Sequence, residues 1–149
     1  MKDIFQPQTV QQLKTRIQQL DENSTAKWGK MNVYQMLKHC SENEKLMLRE
    51  RTLKRRFLGR IFGKLALKSS IKNDAPLDKN QPTHPDLIFT STGDVESQKQ
   101  EWLSLLDRYT SKPIDYTGFI HPFFGKMNKE QIGILVFKHI DHHLRQFGV

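Results

Sequence analysis

The sequence predicts an all-α protein, a four-helix bundle formed by a single domain over residues 1–149. Apolar residues recur at three- and four-residue steps in four segments. Two of these segments begin with Asn-x-x-Gln, and no segment alternates polar with apolar residues as a half-buried strand would. A chain of 149 residues is long enough for one domain with a buried core. Four helices joined by one long crossover are typical of a bundle.

The first two helices are predicted from apolar spacing and from capping residues. The first follows Thr9, a candidate N-cap, and carries an apolar stripe of Val10, Leu13, Ile17 and Leu20. The second begins near Asn32, and Gln35 stands three residues later, as in a capping box with Asn in place of Ser or Thr.

A basic segment follows the second helix and contains the whole net charge of the chain. Residues 49–72 contain nine of the 24 Lys and Arg residues but only one of the 16 acidic residues, Glu50, so this segment is +8 and the remainder is neutral. An apolar stripe lies opposite these cations and consists of Leu53, Phe57, Leu58, Ile61, Phe62 and Leu65. Three interpretations stand: a solvated helix whose apolar side packs on the bundle, a surface that binds nucleic acid or an anionic membrane, or a patch that attracts an anionic substrate or thiol to a functional site.

The second half of the chain is predicted as a long loop, a helix, an irregular connection and a final helix. Proline and polar residues interrupt every periodic pattern from about Ser69 to Gly93. The third main helix starts near Asp94. After an irregular stretch over residues 115–127, the last helix starts at Asn128, repeats the capping pattern with Gln131, and ends at Gly148.

Histidines at core-facing positions predict a metal site. His139 and His143 are four residues apart on the last helix, so their side chains project from one face, within its apolar stripe. His39 is the only histidine on another predicted main helix, which makes it the candidate third ligand. The alternative is that all three are ordinary hydrogen-bonded histidines, because the pattern lacks the glutamate of HExxH motifs.

The other candidate residues are expected to have lesser roles. His142 is expected at the boundary of the site or as an outer donor, while His121 and His84 each precede a proline and are expected in turns, with His121 also a candidate for the site mouth. Cys40 is expected to be a small buried thiol, and Glu42 a solvated surface carboxylate rather than a general base.

Several short motifs in this order resemble the DinB-like superfamily of metal-binding four-helix proteins, in a branch of unknown function. They are Trp28, Asn-Val-Tyr-Gln-Met-Leu-Lys-His at 32–39, Pro-Thr-His-Pro at 82–85, His-Pro-Phe-Phe-Gly-Lys at 121–126, and the closing residues 139–148. The resemblance implies an up-down-down-up bundle with its crossover between helices two and three.

The resemblance also implies a metal held by three histidines, at His39, His139 and His143. The superfamily often has Arg directly after the histidine pair and Gln two places later. Here Leu144 occupies the arginine position, Arg145 follows it, and Gln146 keeps its place.

These expectations favour a metal-dependent enzyme with a small-molecule substrate. Three protein ligands leave a coordination position for a water or a thiol, and histidines suit zinc or nickel first, with manganese or iron as further candidates. The resemblance adds low-molecular-weight thiols, which indicates thiol-dependent transfer or hydrolysis, and a homodimer. A non-enzymatic module that binds nucleic acid or an anionic membrane through residues 49–72 is the alternative.

A cytoplasmic location is expected from two features of the sequence. The N-terminal residues contain no apolar segment of the kind found in secretion signals, and no stretch has the roughly 20 apolar residues that cross a bilayer. Cys40 is the single cysteine, which fits a reducing compartment.

Overall fold

A computed structural model describes residues 1–149 and confirms that the protein is all-α apart from one very small hairpin. It contains five α-helices: α1 (Pro7–Ile17), α2 (Val33–Met47), α3 (Phe57–Ser70), α4 (Val95–Ser111) and α5 (Lys129–Phe147). A single 3-10 turn, Pro85–Leu87, lies between α3 and α4. The two strands, β1 (Ile120–His121) and β2 (Gly125–Lys126), pair antiparallel.

Helices α1, α2, α4 and α5 surround one apolar core. Both α1 and α2 contact α4 and α5. Trp102 of α4 is fully buried at the centre of this core, together with Met36, Leu37, Leu106, Ile132, Ile140 and Leu144. The contact between α2 and α5 is the one that matters for the site, because it brings the histidine of α2 to the histidine pair of α5.

The predicted capping boxes are confirmed at both helices that carry the histidines. Asn32 accepts a hydrogen bond from the backbone N–H of Gln35, whose side chain accepts one from the Asn32 N–H. Asn128 and Gln131 form the same reciprocal pair at the start of α5. Gly148 ends α5 in the left-handed conformation, with φ of 83°. These local signals fix where the histidine-bearing helices begin.

Two local predictions were wrong. Helix α1 begins at Pro7 rather than after Thr9, because proline is favoured in the first helical turn, and Thr9 lies buried within the helix. The irregular stretch before α5 contains the β1–β2 hairpin, which sequence alternation did not reveal because each strand is only two residues long.

Helix α3 lies against the hairpin and reverses the expected orientation of the basic segment. Its buried residues are Gly59, Gly63 and Leu67, and the only helix or strand it contacts closely is β2. The interpretation that its apolar stripe packs on the bundle is therefore wrong, and Leu53 lies outside the helix altogether. No helix of the chain combines the length and the apolar character that crossing a membrane requires.

Candidate metal centre

The three predicted histidines come together between α2 and α5. One ring nitrogen of each lies within 4.8 Å of the corresponding nitrogens of the others. The Nε2 atoms of His39 and His139 are 3.1 Å apart, and the ring of His143 is centred 4.8 Å from that of His39. The structure therefore assembles His39, His139 and His143 into one group, called the histidine cluster below.

The outward-facing nitrogens of two of these rings are held by acceptor groups of the protein. The Nδ1 of His39 lies 2.9 Å from the backbone carbonyl of Leu87, and the Nδ1 of His143 lies 2.9 Å from Oε1 of Gln146. A carbonyl accepts, so Nδ1 carries the proton in both rings and Nε2 keeps a free lone pair. Gln146 is itself held, because its amide donates to the carbonyl of Trp28 at 2.8 Å.

Asn43 holds the third ring. Its side-chain amide lies 3.3 Å from the Nδ1 of His139. Rotating that amide by half a turn exchanges its donor and acceptor, so Asn43 fits either tautomer of His139. With the carbonyl oxygen turned toward Nδ1, the Nε2 atom of each of the three rings is left with a free lone pair.

Burial keeps these imidazoles neutral. Burial lowers the pKa of His39, despite the opposing hydrogen bond to the Leu87 carbonyl, and lowers the pKa of His143 to about 3. The pKa of His139 falls well below its ordinary range, first through burial and then through the neighbouring rings of His143 and His39. Neutral imidazole is the form that binds a metal, so no proton has to leave these rings at neutral pH.

The donor set fits a divalent ion. Two nitrogens bound to one tetrahedral zinc at ~2.0–2.1 Å lie about 3.3 Å apart, close to the spacing of the His39 and His139 Nε2 atoms. Carbonyl acceptors on the opposite ring nitrogens are the usual outer contacts of metal-binding histidines. Three ligands leave a position for a further molecule, as in catalytic rather than structural sites.

Comparison with known proteins places the chain in a family. The model of a family of proteins of unknown function, DUF1569, matches residues 5–148. The chain belongs to the DUF1569 family. No curated protein and no solved structure matches it.

Three residues of this DUF1569 protein that hold the cluster were not given this role from the sequence: Asn43, Leu87 and Gln146. Asn43 lies four residues after His39 and Gln146 three after His143, so both are one helical turn from a ligand and helical spacing was the available signal. Leu87 acts through its backbone carbonyl, which no side-chain pattern reveals.

The remaining histidines of the DUF1569 protein lie outside the cluster. His84 and His121 have the expected turn roles: His84 caps the 3-10 turn, and the Nδ1 of His121 accepts the N–H groups of Phe123 and Phe124 at 3.1 and 3.2 Å. His142 lies beside the cluster, with its ring centred 5.1 Å from that of His143 and 5.9 Å from that of Trp28.

Cys40 is buried as expected, whereas Glu42 is not a solvated carboxylate. The Glu42 side chain is 13% exposed and forms ion pairs with Lys38, Lys45 and Arg51. Partial burial raises the pKa of Glu42, but the hydrogen bond and charge of Lys45, followed by the charges of Lys38 and Arg51, lower it overall. A carboxylate held in this way is a poor general base at neutral pH.

A surface cavity of about 460 Å³ is lined by His142, and none of the three cluster histidines lines it. Three cations line it, and the DUF1569 chain presents no acidic side chain there. The Nζ of Lys79 lies 4.3 Å above the indole ring of Trp28, whose buried N–H has no hydrogen-bond partner. The lining residues are Lys27, Trp28, Pro76, Leu77, Lys79, His142, Arg145, Gly148 and Val149.

Proposed function

We propose that this protein is a metal-dependent enzyme whose histidine cluster binds zinc or nickel and whose reaction is thiol-dependent transfer or hydrolysis. The observation that carries the proposal is the convergence of one ring nitrogen from each of three histidines, whose Nδ1 atoms all lie within hydrogen-bond distance of protein groups. Manganese and iron are the next candidates for the ion. Once bound, such an ion lowers the pKa of a water or thiol in its open position and so supplies a nucleophile at neutral pH.

In this reaction the protein's own residues orient the three histidine rings and keep water away from them. Leu87, Asn43 and Gln146 orient the three rings. Burial keeps the rings neutral and excludes water from their surroundings. Glu42, the carboxylate one turn from His39, is paired with cations, and this favours a reaction whose nucleophile is activated by the ion.

The cavity beside His142 supports a small anionic substrate or thiol. Lys27, Lys79 and Arg145 supply positive charge, although Arg145 also donates to the carboxylate of Asp141 at 2.6 Å. A low-molecular-weight thiol that carries carboxylates matches these charges.

We propose further that the DUF1569 family is a branch of the DinB-like superfamily and that α1, α2, α4 and α5 form its up-down-down-up bundle. The packing of these four helices around one core supports this assignment, as does the position of the cluster on α2 and α5. The presence of a single, buried cysteine, Cys40, supports a cytoplasmic location, because a reducing compartment does not favour disulfides.

Metal analysis with single-histidine variants tests the proposal. Purified protein should retain about one divalent ion per chain, and His39→Ala, His139→Ala or His143→Ala should each lose it, since two ligands alone make a weak site. His84→Asn is the matched control, because asparagine removes an imidazole outside the cluster but can still cap the 3-10 turn that presents the Leu87 carbonyl, so metal content should be unchanged.

Activity is measured on the same set of proteins with a panel of thiols and electrophiles, and with esters and amides for hydrolysis. Turnover should follow metal content across the variants and return when zinc or nickel is restored to the stripped wild type. A wild-type protein that neither contains nor takes up zinc, nickel, manganese or iron would end the proposal. If metal-loaded protein is inactive on the whole panel, the proposed metal site stands but the proposed thiol-dependent or hydrolytic reaction is wrong.

A further inference from the structure

Helix α3 presents a continuous apolar face to solvent. Five of its six large apolar side chains are more than half exposed, with Phe57 at 73% and Leu65 at 70%, and only Leu67 is buried. At about 100° per residue the exposed five fall within an arc of roughly 140° on one side of the helix. The full set is Phe57, Leu58, Ile61, Phe62 and Leu65. Clustered exposed apolar residues of this size mark an interaction surface rather than scattered surface leucines.

The hairpin fixes this orientation of α3. A Cβ atom added at Gly59 or Gly63 would lie 2.5 or 2.1 Å from the carbonyl oxygen of Phe123. The hairpin backbone therefore leaves no room for a side chain at either position. The backbone N–H of Arg56 donates to the carbonyl of Pro122 at 3.0 Å, and Lys64 donates to that of Lys126. Because the glycine side must face the hairpin, the large apolar residues must face outward.

Positive charge borders the exposed apolar face. Arg60, Lys64 and Lys68 are exposed and follow one another along one edge of the apolar arc, and Arg55 and Arg56 lie just before its first turn. The ion pairs of residues 49–72 involve only Arg51 and Glu50, and Glu50 is paired with Arg108 of α4. The cations of α3 itself therefore have no acidic partner in the chain.

We infer that α3 docks this protein on an anionic membrane surface. Its apolar face would enter the boundary between headgroups and acyl chains, with Arg60 and Lys68 at the level of the lipid phosphates. A helix of 14 residues lying in that plane fits a protein without a membrane-crossing helix.

Lipid fits this face better than nucleic acid or a second copy of the chain does. Leu58, Ile61 and Leu65 are aliphatic and cannot stack on bases, so nucleic acid would use the cations and leave the exposed apolar arc in water. A second copy of the chain would place one +8 segment against another, which is electrostatically unfavourable. Of these three occupants, only an anionic membrane contacts both the cations and the exposed apolar side chains of α3.

Vesicle sedimentation tests the inference on the full chain. Vesicles of phosphatidylcholine with about one third phosphatidylglycerol should bind the protein in a salt-sensitive way, and pure phosphatidylcholine should bind it far less. Phe57→Ser with Phe62→Ser should weaken binding by about 100-fold, or about tenfold for each ring withdrawn from the interface. Arg60→Gln with Lys68→Gln should weaken it by about 30-fold and reduce its salt dependence.

Two control variants match these changes at other surfaces. Ile88→Ser removes an apolar side chain that is 60% exposed but lies on the crossover, and Lys30→Gln with Lys112→Gln removes two exposed cations outside α3. Both should bind vesicles within about twofold of wild type. All four variants alter exposed side chains, and helix content by circular dichroism should match wild type.

Three results would overturn the inference. The first is no binding to anionic vesicles. The second is salt-sensitive binding to duplex DNA or RNA without binding to vesicles, when Arg60→Gln with Lys68→Gln weakens the binding to nucleic acid. The third is a stable dimer by light scattering that Phe57→Ser with Phe62→Ser separates into monomers that still do not bind vesicles. The measurements do not involve the metal, so the proposed enzymatic function stands or falls separately.

Discussion

The change Glu44→Gln should make the stability of this protein less dependent on pH. Glu44 is fully buried on α2, where its carboxyl group accepts a hydrogen bond from the hydroxyl of Tyr109 and its other oxygen has no partner. Burial raises the pKa of Glu44 from 4.5 to about 8, although the neighbouring polar side chains of Tyr109 and Asn43 oppose the shift. The folded protein therefore keeps a proton on Glu44 at neutral pH that the unfolded chain gives up.

The sign and the size follow from that difference. Between pH 4.5 and about pH 8 the folded state binds one proton more than the unfolded state, so the free energy of unfolding falls as pH rises through this range. A difference of about 3.5 pKa units, about 8 minus 4.5, corresponds to about 5 kcal/mol at the upper end. The glutamine side chain of the variant cannot ionise, so the variant does not lose this stability as pH rises.

Urea denaturation followed by tryptophan fluorescence measures the effect, with a chelator present so that metal binding does not contribute. The difference in unfolding free energy between Glu44→Gln and wild type should grow in favour of the variant from about pH 5 to about pH 8. The unpaired amide N–H in the variant costs about 1–3 kcal/mol at every pH, so the slope and not the absolute difference is the test.

Exposed Glu130→Gln supplies the baseline for exchanging glutamate with glutamine. Groups other than Glu44, the buried histidines included, titrate alike in variant and wild type and cancel in the difference. A difference that stays constant from about pH 5 to about pH 8, or that moves in favour of wild type, would show that Glu44 is ionised in the folded state.

Three further predictions concern the cluster and α3. Asn43→Ala should weaken metal binding by about 10- to 100-fold, measured by competition with a chromogenic chelator, because His139 loses its outer contact. The apo form of Glu44→Gln, which lacks the opposite effect of Glu44, should lose stability as pH falls below about 6.5, measured by thermal unfolding, because the unfolded histidines bind protons that the buried rings, with lowered pKa values, do not bind. Gly63→Ala should destabilise the docking of α3 by about 1–3 kcal/mol, measured by urea unfolding, since its Cβ would lie 2.1 Å from the Phe123 carbonyl oxygen.

Each of these has an outcome that would contradict it. Unchanged metal affinity in Asn43→Ala would show that His139 is oriented by packing alone. Apo Glu44→Gln equally stable from about pH 7 to about pH 4 would show that the rings are protonated in the folded state. Gly63→Ala with wild-type stability would show that α3 is held loosely on the hairpin, and Ala66→Gly in the same helix gives the general cost of a glycine for comparison.

Local chemistry explains which parts of the fold and the site were predictable. Asn32 and Asn128 form capping boxes with residues only three positions away, so both helix starts are readable from the sequence. His139 and His143 were predictable because helical spacing alone places them on one face. Their meeting with His39 depends on the packing of α2 against α5, and its prediction needed the assumption that both histidines face the core.

The orientation of α3 could not be predicted because it depends on a tertiary contact. Periodicity favours burial of large apolar residues, but the backbone of Phe123 approaches so closely that only Gly59 and Gly63 fit against it. The carbonyl of Leu87 is a similar case. It reaches His39 from a segment 48 residues further along the chain, and every residue type has such a carbonyl.

The hydrogen bond from His39 to the Leu87 carbonyl would couple binding of the proposed ion to the position of the 3-10 turn. Any displacement of the 3-10 turn over residues 85–87 rotates the His39 ring, and an ion that fixes the ring restrains the turn in return. Exchange of the amide hydrogens of Leu87 and Ile88 with deuterium should therefore slow when zinc is added to stripped protein. Amide exchange at these two residues, followed by mass spectrometry, would therefore show whether the proposed metal site is occupied, and the measurement needs no substrate.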